Sequence, residues 1–254
     1  MPNVAVIQFP GSNCEYETQR ALQAAKLDAQ VINWNSDPKQ FEGFQAYILP
    51  GGFSYQDRVR SGAIAAKLPL MDILKKANLE GKPILGICNG CQILAEAGLL
   101  PNANKDFKSE VALAPNHKNG ESLGFICKWV HIQFRHPKKN IFTQLFSEED
   151  ILPIPINHGE GNFQLSTSSL ELLPELAAAY YCHENPNGST ANLAGLSNKA
   201  GTLFAMMPHP ERASFMSQIP FDFDQKWSDK KRKSILSQEG PFMKLFYGLA
   251  SHLQ

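Results

Sequence analysis

The 254-residue sequence lacks an excess of charge of either sign, because 24 basic residues balance 24 acidic ones. A chain with formal net charge zero has no general attraction to polyanions, so we expect neither nucleic acid nor an anionic membrane as its partner. The sequence also lacks an apolar run of about 18 residues, the length of a membrane-spanning helix. Its start, MPNVAVIQFPG, has no basic residue before a short apolar run and is more typical of a strand than of a signal peptide. We therefore expect a cytoplasmic protein.

Cysteine is also sparse, and its five copies, an odd number, do not form a disulfide framework. Cys88 and Cys91 make the C-x-x-C pair of the chain, and neither a second such pair nor an H-x-x-H motif accompanies it. Because a structural zinc ion needs about four ligands, we expect no metal site. A G-x-x-x-x-G-K-[ST] phosphate loop is absent too, so the sequence predicts no ATP site and no cofactor in this chain.

Buried strands and amphipathic helices alternate in the first part of the sequence. Strand-like apolar runs are present at 3–9, 29–34, 46–52 and 83–87, and helical spacing at 15–27 and 68–81. This alternation predicts an open, mostly parallel α/β sheet flanked by helices. Beyond about residue 105, strand-like runs separated by Gly, Asn and Pro predict a β-rich second half. We interpret residues 1–254 as a single domain and expect the charged segment 221–234 to be solvated.

The order of residues around Cys88 predicts a nucleophile. The apolar strand PILGI leads into Gly86, Cys88 and Gly90 at alternate positions, and helical spacing follows. Glycines on both sides of the cysteine allow a sharp strand-to-helix turn that lifts its side chain above the carboxyl edge of the sheet. The N-terminus of the following helix supplies free N–H groups and a positive dipole end, which favour the thiolate over the thiol.

A redox pair is the other interpretation of C-x-x-C, since Cys88 and Cys91 lie one helical turn apart. Redox pairs normally stand at a helix start without a glycine on each side. In the nucleophile interpretation, Cys91 faces inward as a small apolar residue.

A base for the thiol is predicted in the segment MMPHPER. Pro208 and Pro210 hold His209 in an extended conformation, in which residues two apart point the same way. Glu211 can therefore lie beside the imidazole and orient it. The alternative is a proline-stiffened surface loop that contains a His and a Glu by chance.

Two other segments are candidates for binding a ligand. In PINHGEGNF, His158 and Glu160 lie two residues apart between glycines, which fits either a turn or a ligand-binding loop. Near residue 50, a predicted strand ends in Gly51 and Gly52, and adjacent glycines can aim backbone N–H groups at an oxyanion.

These segments, together with VAVIQFPGSNCE and FICKWV, occur in the order typical of one family and run from residue 4 to about 212. The chain resembles the class I (triad) glutamine amidotransferases, and among them the glutaminase subunits of phosphoribosylformylglycinamidine synthase. The resemblance implies a flavodoxin-like fold, with Cys88 as nucleophile, His209 as general base and then acid, and Glu211 as its orienting partner. It also implies an oxyanion hole at Gly52, Phe53 and the N–H of Asn89. The implied substrate-binding residues are Gly51, Gly52, Phe53, Asn89, Gln92, His158, Glu160 and Gly161.

The resemblance further implies that glutamine is hydrolysed to glutamate and ammonia through a cysteine thioester. The ammonia would pass to a PurL-type formylglycinamide ribonucleotide synthetase subunit, which would bind ATP and Mg, with a small PurS-type bridging subunit, in de novo purine biosynthesis. The alternatives are another elbow-cysteine hydrolase of the same fold, such as a γ-glutamyl hydrolase or a DJ-1-like protein, and a non-catalytic binding module.

The sequence departs from the family pattern at a few positions. Gln56 stands where the family has glycine, and Arg58 and Val59 replace Tyr-Leu, so we expect a stiffer or shifted loop there. Gly124 stands where an arginine is common, which puts a glutamine contact from that position in doubt. Residues 215–236 match nothing in the pattern.

Overall fold

The computed structural model describes residues 1–102, 105–223, 225–233 and 238–254. The strands are β1 Asn3–Gln8, β2 Asp28–Asn33, β3 Ala46–Leu49, β4 Ile84–Ile87, β5 Val111–Ala114, β6 His117–Lys118, β7 Glu121–Ser122, β8 Ile126–Arg135, β9 Leu152–His158, β10 Asn162–Leu165, β11 Ala178–Cys182, β12 Leu193–Ser197 and β13 Leu203–Met206. The helices are α1 Glu15–Ala24, α2 Pro38–Glu42, α3 Leu70–Leu79, α4 Asn89–Glu96, α5 Thr167–Leu172, α6 Gln225–Arg232 and α7 Met243–Leu253. None of these helices has the length and apolar character needed to cross a membrane.

A nine-stranded sheet forms the centre of the fold, in the order β2-β1-β3-β4-β13-β12-β11-β8-β9. The neighbours from β2 to β13 are parallel. Strand β1 is fully buried from Val4 to Ile7, as expected for a strand covered on both faces. The predicted open α/β sheet with its parallel first half is confirmed.

The second half of the chain completes the same sheet. Strands β12, β11, β8 and β9 are antiparallel to their neighbours, and β5 and β10 form a separate small antiparallel pair. The predicted β-rich second half is confirmed, although β12 was not anticipated because its sequence, LAGLS, is short and interrupted by glycine.

The strand order brings distant segments to one edge of the sheet. Ile87 at the end of β4 pairs with Met206 at the end of β13, so the residues that follow both strands emerge side by side. Strand β3, on the other side of β4, ends just before Gly51. The N–H of His209 donates to the carbonyl of Pro155 in β9 (2.9 Å), which joins a fourth strand to this edge.

The expectation that 221–234 is solvated holds for most of the residues that the structure describes there, which are exposed, but not for one face of helix α6; residues 224 and 234 lie outside the described part. Helix α6 buries Trp227 and Ser228, and Lys231 is also only 7% exposed. The Lys231 ammonium donates to the carbonyls of Ser217 and Ile219, so a charged side chain is buried along its stem with its head hydrogen-bonded. Helix α6 therefore packs one face against the rest of the protein, although its sequence is rich in charged residues.

Candidate active site

Cys88 occupies a sharp turn between β4 and α4. Its backbone has φ +50° and ψ −105°, a conformation that residues other than glycine rarely adopt. A Cβ on Gly90 would lie 2.0 Å from the Leu49 carbonyl oxygen, so the turn can only pass this close to β3 with glycine there. The geometry is that of the predicted nucleophile elbow.

The sulfur of Cys88 reaches a small cavity although the residue as a whole is only 4% exposed. The cavity has a volume of about 210 Å³. The thiol lies 3.5 Å from the carbonyl oxygen of Asn157, at the end of β9. Access to Cys88 is therefore through this cavity.

Cys91 is in a different environment from Cys88. It is fully buried, and burial raises the pKa of its thiol well above the usual value, so its thiolate is disfavoured. All five cysteines are free. The contrast between Cys88 and Cys91 favours one reactive thiol over a redox pair.

His209 and Glu211 form a buried pair next to Cys88. His209 Nδ1 donates to Glu211 Oε1 over 2.6 Å, and the two side chains are 2% and 0% exposed. Nε2 has no hydrogen-bond partner among the described residues and is the nitrogen left for the thiol. Burial alone would lower the pKa of His209, but the Glu211 carboxylate and Cys88 outweigh it, so this pKa lies well above 6.5. The imidazolium form of His209 is thus favoured near neutral pH.

Gly51 makes room for this imidazole. A Cβ at Gly51 would lie 2.7 Å from His209 Cε1 and 3.1 Å from Cys14 Sγ. The residue therefore packs against the His209 ring and does not line the cavity. Its requirement for glycine is steric.

Cys14 and Arg212 surround the far side of the His209–Glu211 pair, and the sequence analysis assigned a role to neither. Arg212 Nη2 donates to Cys14 Sγ (3.2 Å), and its Nε donates to Glu17 Oε2 (2.9 Å). Ligand atoms of Cys14, His209 and Glu211 lie within 4.8 Å of one another, a spacing that a metal ion could use. The guanidinium on the sulfur and the Nδ1 proton shared with Glu211 fit a hydrogen-bonded support for the imidazole better than a cation site.

Oxyanion donors are available at two of the three predicted positions. The N–H of Phe53 donates to the Gly11 carbonyl (2.9 Å), because Ser12 and Gly52 form an isolated antiparallel bridge that places Phe53 beside Gly11. Phe53 is therefore not a free donor, contrary to the sequence expectation. The N–H of Gly52 makes none of the backbone hydrogen bonds of the described residues, and the N–H of Asn89 is in the first turn of α4, where amides have no acceptor within the helix.

Three loops meet around the cavity and are tied together by side chains from α4. The cavity is lined by Gly52, Phe53, Asp57, Ser61, Cys88, Gln92, Phe125, Asn157, His158, Gly159 and Glu160. Asn89 Oδ1 accepts from the N–H of Ser54 (3.1 Å), and Gln92 Nε2 donates to the carbonyl of Glu160 (2.6 Å). Asn89 Nδ2 also donates to Gln92 Oε1 (3.0 Å), so the positions of the loops depend on each other.

Comparison with known proteins assigns the chain to a family. The model described as CobB/CobQ-like glutamine amidotransferase domain matches residues 1–251. The chain belongs to this family of glutamine amidotransferases. The match includes residues 215–236, which match nothing in the motif pattern of the family.

Curated relatives within the family are subunits of one enzyme. The chain is 41% identical over 235 residues to phosphoribosylformylglycinamidine synthase subunit PurQ of Methanothrix thermoacetophila, covering 85% of this chain and 88% of the relative. It is 41% identical over 218 residues to the PurQ subunit of Pyrococcus horikoshii, covering 84% and 90%. The resemblance stated from the motifs is confirmed.

A solved structure with the same fold covers the whole chain. The structure of PurLQS from Thermotoga maritima matches with a TM-score of 0.75 and 30% identity, covering 100% of this chain and 99% of that one. A glutamine amidotransferase from the same organism matches with a TM-score of 0.57 and 17% identity, which supports the fold alone.

His158 is a neutral imidazole in this site, with a proton on Nδ1 and a lone pair on Nε2. Asn116 Oδ1 accepts from the N–H of Gly161 (3.0 Å), so it is the amide oxygen, and His158 Nδ1 at 3.0 Å must carry a proton to donate to it. Burial, with the charge of His209, lowers the pKa of His158 to about 3. Its Nε2 is left as a buried lone pair that no group in the described part of the chain contacts by a hydrogen bond.

The departures from the family pattern have local explanations. Tyr55, Gln56 and Asp57 all have positive φ, and Gln56 Oε1 accepts two hydrogen bonds from the Arg58 guanidinium (2.9 and 3.2 Å). The loop thus keeps a left-handed conformation without the usual glycine and braces it with the two substituted side chains. Gly124 has φ +61°, a conformation that an arginine would adopt only with strain.

Several cavity residues were not predicted from the sequence. Asp57 and Ser61 follow Gly51 and Gly52, for which a role was predicted, and Asn157 directly precedes His158. Phe125 stacks on Phe53 at the mouth of the cavity, with ring centroids 6.1 Å apart. Phe125 stands in FICKWV, so the family motif was the signal that could have found it.

Proposed function

We propose that this chain is the glutaminase component of a phosphoribosylformylglycinamidine synthase, and that it hydrolyses glutamine to glutamate and ammonia. The observation that carries the proposal is the buried His209–Glu211 pair beside an elbow cysteine that lines a small cavity. The names of the curated relatives support the choice of synthase.

In the proposed reaction, the Cys88 thiolate attacks the side-chain carboxamide carbon of glutamine. The N–H groups of Gly52 and Asn89 stabilise the oxyanion, and losing one such donor typically costs about 3 to 4 kcal/mol. The His209 imidazolium gives its Nε2 proton to the departing ammonia as the C–N bond breaks and the thioester remains.

The second half of the reaction returns the site to its starting state. Neutral His209 takes a proton from water, and the resulting hydroxide attacks the thioester carbon. The C–S bond breaks, glutamate leaves, and the thiolate and imidazolium are restored. Throughout, Glu211 holds the Nδ1 proton and stabilises the imidazolium, as carboxylates do in such triads.

Ammonia is the useful product in this proposal. A separate PurL-type synthetase subunit would bind ATP, Mg and formylglycinamide ribonucleotide and consume the ammonia, with a PurS-type subunit bridging the two. The structural likeness to the PurLQS complex supports these partners. We place the assembly in the cytoplasm and treat residues 1–254 as its single amidotransferase domain.

The division of labour can be tested with Cys88→Ala in the reconstituted complex. We expect glutamine-dependent synthesis to be abolished and ammonia-dependent synthesis to survive at the wild-type rate. Equal loss of both activities would contradict the proposal.

A further inference from the structure

The cavity beside Cys88 has an unbalanced charge. Its lining includes two carboxylic acids, Asp57 and Glu160, and, in the part of the chain that the structure describes, neither lysine nor arginine. The third titratable side chain besides the thiol is His158, which is neutral because its pKa is lowered to about 3 by burial. An amino acid that places its carboxamide at Cys88 must leave its charged end within reach of these acids.

Asp57 is held by hydrogen-bond donors that carry no charge. Asn89 Nδ2 donates to its Oδ1 (3.2 Å), and Ser61 and the Gly62 N–H also donate to the carboxylate. Burial, reinforced by the negative charge of Glu160, raises the pKa of Asp57 to about 6. Among the described residues, Asp57 makes no ion pair, so its charge lacks a counterion.

Glu160 approaches Asp57 from the opposite loop. Its Oε2 accepts from the N–H of Ser61 (2.9 Å), so both carboxylates meet around the same serine. Arg60 is close enough to Glu160 for their charges to interact. Its hydrogen bonds go elsewhere, because its Nε donates to Glu96 Oε1 (2.7 Å) and its Nη2 to Glu96 Oε2. The two acids therefore face the cavity together.

We propose, on the basis of the proposed function, that Asp57 together with Glu160 binds the α-ammonium group of glutamine and makes this group the main determinant of substrate choice. An ammonium supplies the counterion that Asp57 lacks, and its three N–H donors can be shared between the two carboxylates. Asp57 also contacts Asn89, the first residue of α4, so the same carboxylate links the charged end of the substrate to the turn that carries the nucleophile. An amide lacking the amino group would leave the acids uncompensated.

The test compares two alkylating probes on the full-length chain: the diazoketone analogue of glutamine and its counterpart without the amino group. The measured quantity is the second-order rate of Cys88 alkylation, followed by mass spectrometry, for wild type, Asp57→Asn and the control Asp72→Asn. Asp72 is an exposed acid on α3 and does not line the cavity. The probes report binding at this cavity even if the free chain turns over glutamine slowly.

We expect wild type to prefer the amino probe by at least about tenfold, in line with the value of a hydrogen bond to a charged group. Asp57→Asn should lose about tenfold or more with the amino probe and less than about twofold with the other, while Asp72→Asn matches wild type. Wild-type preference should also fall as the pH drops below about 6, where Asp57 gains a proton, and the variant should not show this fall.

An equal loss with both probes in Asp57→Asn would assign the residue a structural role and overturn the inference. The absence of a preference in wild type would do so as well. A failure of the proposed function looks different, because neither probe would then modify Cys88 and the complex would release no glutamate from glutamine.

Discussion

Replacing Glu211 with Gln should remove the negative charge that holds His209 while nearly preserving the shape of the site. The hydrogen bond lost is a buried one of 2.6 Å between charged partners. Hydrogen bonds to charged groups contribute about 1.5 to 3 kcal/mol, and about 1.4 kcal/mol corresponds to tenfold in rate. The loss of charge alone therefore predicts a glutamine-dependent rate lower by roughly 10- to 150-fold.

The side-chain amide of the introduced glutamine can also change the tautomer of His209, because its NH₂ group can donate to Nδ1 and leave the imidazole proton on Nε2. His209 in that tautomer cannot accept a proton from Cys88. We therefore expect the loss to reach at least about 100-fold. The assay is synthesis by the reconstituted complex with glutamine and, separately, with ammonium salt, and the ammonia-dependent rate should not change. A glutamine-dependent rate within about twofold of wild type would refute the role of Glu211.

The same substitution should change how stability depends on pH. In the folded protein the pKa of His209 is raised well above 6.5 by Glu211, which outweighs the effect of burial. A raised histidine pKa contributes stability that is fully present below pH 6.5 and is lost as the pH rises through the folded value. Glu211→Gln should thus lower the free energy of unfolding most near pH 6 and least in alkaline solution, as measured by urea denaturation. A constant difference across this range would contradict the sign of the shift.

Two further predictions follow from the elbow. In Gly90→Ala the new Cβ would lie 2.0 Å from the Leu49 carbonyl oxygen, so we expect a loss of about 3 kcal/mol or more in the free energy of unfolding. Gly43→Ala is the control, because a Cβ at Gly43 meets nothing within 4 Å, and it should be neutral or slightly stabilising. Cys91→Ser should lower stability by about 1 to 3 kcal/mol through an unpaired buried hydroxyl yet keep most of the glutamine-dependent activity. Loss of that activity with an unchanged fold would revive the redox interpretation.

The sequence predicts those features of the site that depend on a few neighbouring residues. Glycines on both sides of Cys88 predicted the elbow, and the prolines beside His209 predicted an extended segment that turns Glu211 toward the ring. Both follow from steric limits on a few neighbouring residues. The continuous apolar run of β1 likewise indicated a strand covered on both faces.

Features that depend on long-range packing were missed. The Phe53 N–H is taken by Gly11 because of an isolated bridge between two loops, which no local pattern encodes. Asp57 gains its role only when the loop carrying Glu160 is placed opposite it. Helix α6 was hidden by its charged residues, since a few buried side chains, Trp227 foremost, decide its packing.

The central claim is that glutamine becomes covalently attached to one sulfur atom. The most direct measurement is to mix the complex with uniformly ¹⁴C-labelled glutamine, quench in acid during turnover, and map the label by peptide mass spectrometry. We predict label on the peptide that contains Cys88, released by hydroxylamine as expected for a thioester, and none in Cys88→Ala. Label on another cysteine, or turnover of glutamine without any covalent label under conditions that stabilise thioesters, would contradict the account.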